Sequence, residues 1–521
     1  MQNTSSMQQH LSLPAHLLKG MQRGLERETL RMQGNGFLSQ KPHPQGLGSA
    51  LTHSYITTDY SEALLELITP PKSSIPEALD FLTALHQFVD TQLAEDEQLW
   101  PLSMPCMLDS KDENIPLANY GSSNLGKFKT LYRHGLGIRY GRRMQTIAGI
   151  HYNLSFPEQL FDYLQQQEND ENLRKLTAQD YRSMRYFGLI RNFIRHLPLV
   201  MYVLGASPTV CRCFVSGRPH HLHQLNQTTL YLPHATALRM GKLGYQNSAQ
   251  RALGIHYNNL PDYVKGIRAA IHTPFEPFQQ LGLDDENGEP IQINDHVLQI
   301  ENEYYSLIRP KQPPQGNETP AQALAARGVA YVELRAVDIN PYLAIGIDEQ
   351  SAAFLETLAL YCLLQDSPMI SDAEQTMLDD NQNKVVDFGR DADCRIQTPQ
   401  GEVLLKDWLQ DCLQNMLPYA ELLNQAHTVD YRSAVQLMQQ RVACPEQTLS
   451  ARMLAETQQA GGTWHFGAEL AKQHQAYIQN YVMSDELKQF FAQAVEKSIV
   501  KQTELEASDD MSFKQYVQQY R

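Results

Sequence analysis

The residues with the clearest chemical potential sit in "QRGLERETLRM", Gln22 to Met32, where Glu26 and Glu28 stand two positions apart. In a helix these carboxylates would diverge, whereas on a strand they share one face. Two carboxylates so placed are roughly 7 Å apart and, at an effective dielectric of about 20, repel by about 2 kcal/mol. Something must offset that repulsion: Arg23, Arg27 and Arg31 nearby in the chain, water, or a cation.

The pattern recurs. "QTIAGIHYNLSF" reads as a strand with Gln145, His151 and Asn153 in one phase. "HVLQIENEYYSLI" reads as a strand aligning Gln299, Glu301, Glu303 and Tyr305. "VAYVELRAVDINP" puts Glu333 and Arg335 opposite Val332 and Leu334, and "YSEALLELITPP" aligns Glu62 with Glu66. Asp59 is out of phase with Glu66 on a straight strand and joins that face only through a bulge or a turn. Any one such face is ordinarily just solvated, as antiparallel sheets often are on one side. Taken together, faces rich in glutamate with a histidine and few arginines point to a sheet that lines a cleft for hard divalent cations and phosphates.

Elements that would carry these residues crowd before about residue 345, and helical patterns dominate after it. "RETLRMQGNGFLSQ" has the signals of a strand, a turn and a returning strand. "IPEALDFLTALHQFVDTQLAEDEQLW" has helical spacing, and "SMRYFGLIRNFIRHLPLVMYVLG" reads as one largely buried helix. Ser484 is placed to cap a helix carrying Leu487, Phe491, Val495 and Ile499. Strands and helices that do not alternate regularly predict an α+β fold with a mainly antiparallel sheet. With no repeat and no Gly/Ser or Pro-rich linker, residues 1–521 read as a single domain, sheet-rich over 20–345 and helical over 346–521.

Other motifs carry less. "GSSNLGKF" fits a phosphate-loop spacing, but Phe128 stands where a Ser or Thr hydroxyl is required, and no apolar strand precedes it. "GLGIRYG" has the wrong glycine spacing for a dinucleotide site. His220, His221 and His223 lack partners at zinc-ligand spacing, Cys211 and Cys213 read as packed thiols, and "DDENGEP" reads as a turn.

The motifs "GLERETLRM", "LTHSYITTDYSEALLELITP", "WPLSMPC", "FKTLYRHGL", "MQTIAGIHYN", "QIENEYYSLIRPK" and "YVELRAVDINP", in this order, strongly resemble the proteobacterial form of glutamate–cysteine ligase. The resemblance implies a glutamine-synthetase-like fold, in which a curved antiparallel sheet forms a funnel with helices outside. It implies joining of L-glutamate to L-cysteine at the expense of ATP, through a γ-glutamyl phosphate, in the first step of glutathione synthesis. Carried over residue by residue, it makes Glu26, Glu28, Asp59, Glu66, His151 and Glu333 ligands of Mg²⁺, with Mn²⁺ able to substitute. Arg335 would stabilise the transferring phosphoryl group. Tyr132, Arg133, Gln145, Arg239, Tyr245 and Tyr305 would form the substrate pocket. Glu301 and Glu303 would either face the nucleotide or support it. Feedback inhibition by glutathione is also expected. The same metal-type residues would serve a ligase with a different amine acceptor, or an idle binding protein that keeps the fold.

Composition sets the remaining bounds. A formal net charge of −15 without a long basic run argues against nucleic acid as a partner. The most apolar stretch, "FIRHLPLVMYVLGASP", is short and interrupted by Arg195, His196 and Pro198, so no membrane span is expected. Seven scattered cysteines and the absence of a signal-like start lead us to expect a cytoplasmic protein, and a monomer.

Overall fold

The computed structural model describes residues 13–244 and 255–521. Its centre is an antiparallel sheet built from β1 (Gln22–Gln33), β2 (Ile56–Thr58), β3 (Leu64–Ile68), β4 (Glu97–Leu99) and β5 (Ile150–Ser155). A small sheet follows, of β6 (Thr209–Cys211), β7 (His223–Gln224) and β8 (Thr229–Tyr231). The central sheet is then completed by β9 (Ile308–Lys311) and β10 (Tyr331–Val337), in the order β2-β3-β1-β5-β10-β9, with β4 on the far end of β1. Later in the chain only the hairpin β11 (Arg395–Thr398) and β12 (Gly401–Leu404) interrupts the helices among the described residues. The α+β class and antiparallel pairing expected from the sequence are observed.

The helices used below are α1 (Ile75–Asp90), α2 (Asn124–Tyr140), α3 (Ala178–Arg195), α4 (Leu197–Leu204), α5 (Pro320–Arg327), α6 (Glu349–Leu364), α7 (Tyr431–Ala443) and α8 (Asp485–Ala507). Ser74 caps α1 by accepting from the Glu77 amide, with Pro76 in the first turn, where a missing N–H costs nothing. Ser484 caps α8 by accepting from the Leu487 amide, as its position predicts. The face of α8 divides, however: Phe491 is fully buried, while Ile499 is 50% exposed. The single helix expected over Ser183–Gly205 is two, because the chain breaks at His196, just ahead of Pro198.

One face of the sheet is apolar and meets helices. Leu25, Leu65, Leu67, Tyr152, Leu154, Val332 and Leu334 lie on it, each at most 1% exposed. Arg23, Arg27 and Arg31 belong to this face as well, so they do not neutralise Glu26 and Glu28. Arg23 pairs with Glu356 of α6 at 2.8 Å, and Glu356 also accepts from Tyr152 and Tyr431 hydroxyls at 2.7 Å each. Arg31 pairs with Glu97 at 2.8 Å. Arg27 has no carboxylate: it donates to His86 Nε2 at 2.8 Å and to the Ala344 carbonyl, and burial pushes its pKa down to about 9.

Candidate active site

The opposite face of the sheet carries the acidic residues, and strand register decides which of them meet. Glu28 lies directly across from Glu66 on β3, and Glu26 across from His151 on β5. Glu333 on β10 sits beside Asn153, and across from Arg309 on β9. Because paired residues point to the same side, one face collects Glu26, Glu28, Glu66, His151, Asn153, Glu333 and Arg309.

The tightest cluster is Glu26, His151 and Glu333, each offering one ligand atom within 4.8 Å of the others. His151 Nδ1 stands 3.1 Å from Glu26 Oε2 and 3.8 Å from Glu333 Oε1. Asn153 donates to the second Glu26 oxygen at 2.8 Å, which fixes that carboxylate. Glu28 accepts from the Gly149 amide at 2.7 Å and lies 3.6 Å from His151 Nε2. Burial, then the charges of Glu26, Asp59 and Glu28, push Glu66 well above the usual carboxylate range, and burial raises Glu28. Burial and Glu333 also push Glu26 upward, but its contact with His151 brings it below the ordinary value. Glu333 is held low against burial by Lys311, at 3.0 Å, and by Arg335, at 3.2 Å.

Arg335 shares the cleft face with Glu333 by strand alternation, and the register of β10 shifts beside it: Leu334 pairs with Tyr152, but Val337 pairs with Ile150, leaving an extra residue on β10. Such bulges re-aim side chains. The guanidinium feels burial, which would lower its pKa, yet Glu333, Glu28 and Glu26 raise it, so Arg335 is a fixed cation among carboxylates.

Beside the acidic cluster lies a cavity of about 140 Å³. It is lined on the acidic side by Glu28, Asp59, His151 and Arg335, and on the other side by Tyr132, Arg133, Gln145, Arg239 and Tyr305. Asp59 enters from the turn after β2, where its amide donates to the Leu64 carbonyl at 3.0 Å, which explains its phase. Tyr132 and Arg133 come from α2, and Arg133 is anchored on the Asp59 carbonyl and stacks on Tyr120, 4.6 Å from the ring centre. Arg239 is braced by Asp338 at 2.8 Å. Gln145 keeps a buried Nε2 with no protein partner, a donor available to a ligand. Tyr245 lies outside the described residues.

Three expectations are corrected. Gln145 is not on a strand; it sits in a short 3₁₀ turn, Arg143–Thr146, before β5. The segment read as a strand through Gln299, Glu301, Glu303 and Tyr305 is a loop with a 3₁₀ turn at Glu301–Glu303, and the strand begins at Ile308. There, Glu301 accepts from the Thr319 hydroxyl and Ala321 amide at the start of α5, both at 2.7 Å. Glu303 accepts from Tyr140 at 2.6 Å and pairs with Arg139 at 3.2 Å. Glu62 precedes β3 and turns away, accepting the His43 and Asn119 amides at 2.8 and 2.7 Å. The strand that does form there, β9, carries Arg309 and Lys311, which the sequence reading did not include in the site. Their alternation in "SLIRPK" carried the signal, and register with Tyr331 and Glu333 brings them to the cluster.

The Glutamate-cysteine ligase family pattern matches residues 7–385. Glutamate–cysteine ligases of Alcanivorax borkumensis and Azotobacter vinelandii are each 44% identical, over 97% of this chain and 96% and 95% of theirs. The crystal structure of glutamate–cysteine ligase from Francisella tularensis in complex with AMP is 34% identical, with a TM-score of 0.89 over 96% of this chain and 97% of that one. A bifunctional glutathione synthetase from Pasteurella multocida shares the fold at 23% identity, with a TM-score of 0.74 over 94% of this chain and 57% of the other. A full-length match at this level, on a sheet that gathers the residues above, leaves one conclusion: the chain is an enzyme of the glutamate–cysteine ligase family.

Proposed function

We propose that this enzyme joins the γ-carboxylate of L-glutamate to the amine of L-cysteine, with ATP converted to ADP and phosphate through a γ-glutamyl phosphate. The observation that carries the reading is the convergence of Glu26, His151, Glu333 and Arg335 on one sheet face beside a cavity lined further by Arg133, Arg239 and Arg309. A carboxylate must be phosphorylated before an amine can displace its oxygen, and phosphorylation brings one anion to another. The donor set fits a divalent cation such as Mg²⁺ or Mn²⁺: two carboxylates and an imidazole converge, and beside them burial and neighbouring carboxylates push Glu66 and Glu28 above their ordinary range. Bound there, the ion would neutralise the phosphoryl oxygens. Glu26, Glu28, Asp59, Glu66, His151 and Glu333 are its proposed ligands.

The chain's own groups do the rest. Arg335 is positioned by Glu333 to hold charge developing on the transferring phosphoryl group. Arg239 and Arg133 suit substrate carboxylates, since a guanidinium binds both oxygens. The Gln145 amide offers one further donor, and Tyr132 and Tyr305 wall the pocket. Tyr245 completes this set by resemblance. No covalent enzyme nucleophile is needed.

We further propose that residues 1–521 act as one catalytic unit, a cytoplasmic monomer inhibited by glutathione. Among the described residues, no helix is long and apolar enough to cross a membrane. The test is Mg²⁺-dependent ADP release with glutamate, with and without cysteine. Strong stimulation by cysteine, with γ-glutamylcysteine identified by mass, is the expected result. Stimulation by another amine alone would overturn the acceptor, and no ADP release at all would overturn the reading. Unchanged activity at millimolar glutathione would remove the feedback proposal.

A further inference from the structure

Three cysteines outside the acidic face meet behind the wall of the cleft. β6 ends at Cys211 and the chain turns immediately, the Phe214 amide donating to the Cys211 carbonyl at 3.0 Å. Cys211 and Cys213 are therefore the first and third residues of a β-turn. On a straight strand residues two apart are roughly 7 Å from Cα to Cα, at the limit a disulfide tolerates, and the turn shortens that separation. The Cys213 thiol donates to Cys211 Sγ at 2.7 Å, and Cys106 is hydrogen-bonded to the same sulfur. These two donors lower the Cys211 pKa, while those of Cys106 and Cys213 are raised. Access differs among the three: Cys106 and Cys211 are 2% and 3% exposed, and Cys213 is only partly buried.

The turn is tied to the cleft by Arg143. Its guanidinium donates to the Cys213 carbonyl at 2.6 Å, to the Asp109 carbonyl at 2.7 Å and to the Asp112 carboxylate at 2.6 Å. The Leu108 amide donates to the Cys213 sulfur at 3.3 Å. Arg143 opens the 3₁₀ turn that carries Met144 and Gln145 into the cavity lining. The Cys213 main chain is therefore joined through Arg143 to the segment that carries Gln145.

We propose that Cys211 and Cys213 form a reversible dithiol–disulfide pair, oxidised by low-molecular-weight disulfides of the glutathione type, whose closure shifts the Arg143–Gln145 wall of the cleft. Cys213, the accessible member, loses its proton to solvent and attacks the external disulfide; that S–S bond breaks and one thiol leaves. Cys211 then gives up its thiol proton and attacks Cys213 Sγ, the mixed disulfide breaks and a second thiol leaves. The two cysteines give up two electrons, the external disulfide takes them, and the two protons end on the released thiols. Cys106 remains reduced.

The test equilibrates the full-length protein in glutathione buffers from fully reduced to fully oxidised, alkylates free thiols and maps the peptides. All seven cysteines should alkylate in the reduced buffer. Two should be protected in the oxidised one, and cleavage after Arg212 should leave two peptides joined by the new bond. Dithiothreitol should reverse it, Cys213→Ser should abolish it, and Cys106→Ser should retain it. Seven alkylated thiols throughout, or a bond engaging Cys106 in place of Cys213, would overturn the pair. This thiol count needs no turnover, so it stands apart from the ligase reading. The link to the wall rests on that reading: oxidation should raise KM for the acceptor amino acid at least threefold in the native protein and leave Cys213→Ser unaffected. Equal KM values in both redox states would overturn the link.

Discussion

At the scale of single residues, the defining feature is the division of charge across β1. Alternation sends Glu26 and Glu28 to the cleft, and Arg23, Arg27 and Arg31 to the buried side. Three nearby arginines therefore give the carboxylates no direct relief, and among the described residues the cations within 3.2 Å of Glu333 are Arg335 and Lys311. Replacing Glu333 with Gln removes a charged donor from the tightest cluster and frees Lys311 and Arg335 from their partner. Cysteine-dependent ADP release should fall by roughly 10³-fold or more, and titration with Mn²⁺ followed by electron paramagnetic resonance should show weaker binding. Arg335→Ala should also cost about 10³-fold in kcat, the scale seen when an arginine that serves a transferring phosphoryl group is lost. A kcat within tenfold of the native value for Arg335→Ala would remove that role.

At the scale of elements, two short segments depend on a few close contacts. Gly149, just ahead of β5, donates its amide to Glu28, and a Cβ there would meet the Arg239 guanidinium at 2.8 Å. Asp338 braces Arg239 from behind, so the guanidinium has little room to give. Gly149→Ala should raise KM for an amino-acid substrate about tenfold, equivalent to about 1.4 kcal/mol, with a smaller effect on kcat. Initial-rate kinetics at saturating ATP would show the split. The second segment is the start of β2, where His53 Nδ1 accepts from the Tyr55 and Ile56 amides at 3.1 and 2.9 Å. Burial pushes the His53 pKa down from 6.5 to about 4. As pH falls through 6.5 the unfolded chain takes the proton first, so the stabilisation is complete above that value and lost progressively down to about 4, in all about 3 kcal/mol. His53→Asn keeps an acceptor and removes the titration. Urea midpoints measured between pH 7 and 4 should fall less steeply for the variant than for the native protein.

At the scale of the whole molecule, the helical half is joined to the sheet through a fully buried carboxylate. Glu356 of α6 is met by Arg23 from β1, by Tyr152 from β5 and by Tyr431 from α7, so both oxygens are satisfied. Breaking a buried pair from one side leaves an uncompensated charge, which typically costs 3–5 kcal/mol. Glu356→Ala should lower the unfolding free energy by about that amount in urea titrations, with KM values of the remaining folded enzyme unchanged. A loss below about 1 kcal/mol would show that water enters and replaces the carboxylate.

What the sequence by itself determined is the set of polar faces and the class of fold. The alternation around Glu26, Glu66, His151 and Glu333 is local; in β3, β5 and β10 it survives because apolar residues in the other phase are buried, and in β1 because Leu25 and arginines with distant partners are. The order of motifs determined the family. Only the tertiary structure decided which polar residues meet, since register depends on pairing partners far apart in the chain: Glu28 with Glu66, Glu26 with His151, Glu333 with Arg309. It also decided that Glu301 and Glu303 leave the strand pattern, their carboxylates meeting the start of α5 and Arg139, partners that are distant in the sequence. The fate of the arginines was decided the same way. A guanidinium can be buried where a distant carboxylate or carbonyl meets it, and nothing in "QRGLERETLRM" records that Glu356, Glu97 and Ala344 wait on the other side of the sheet.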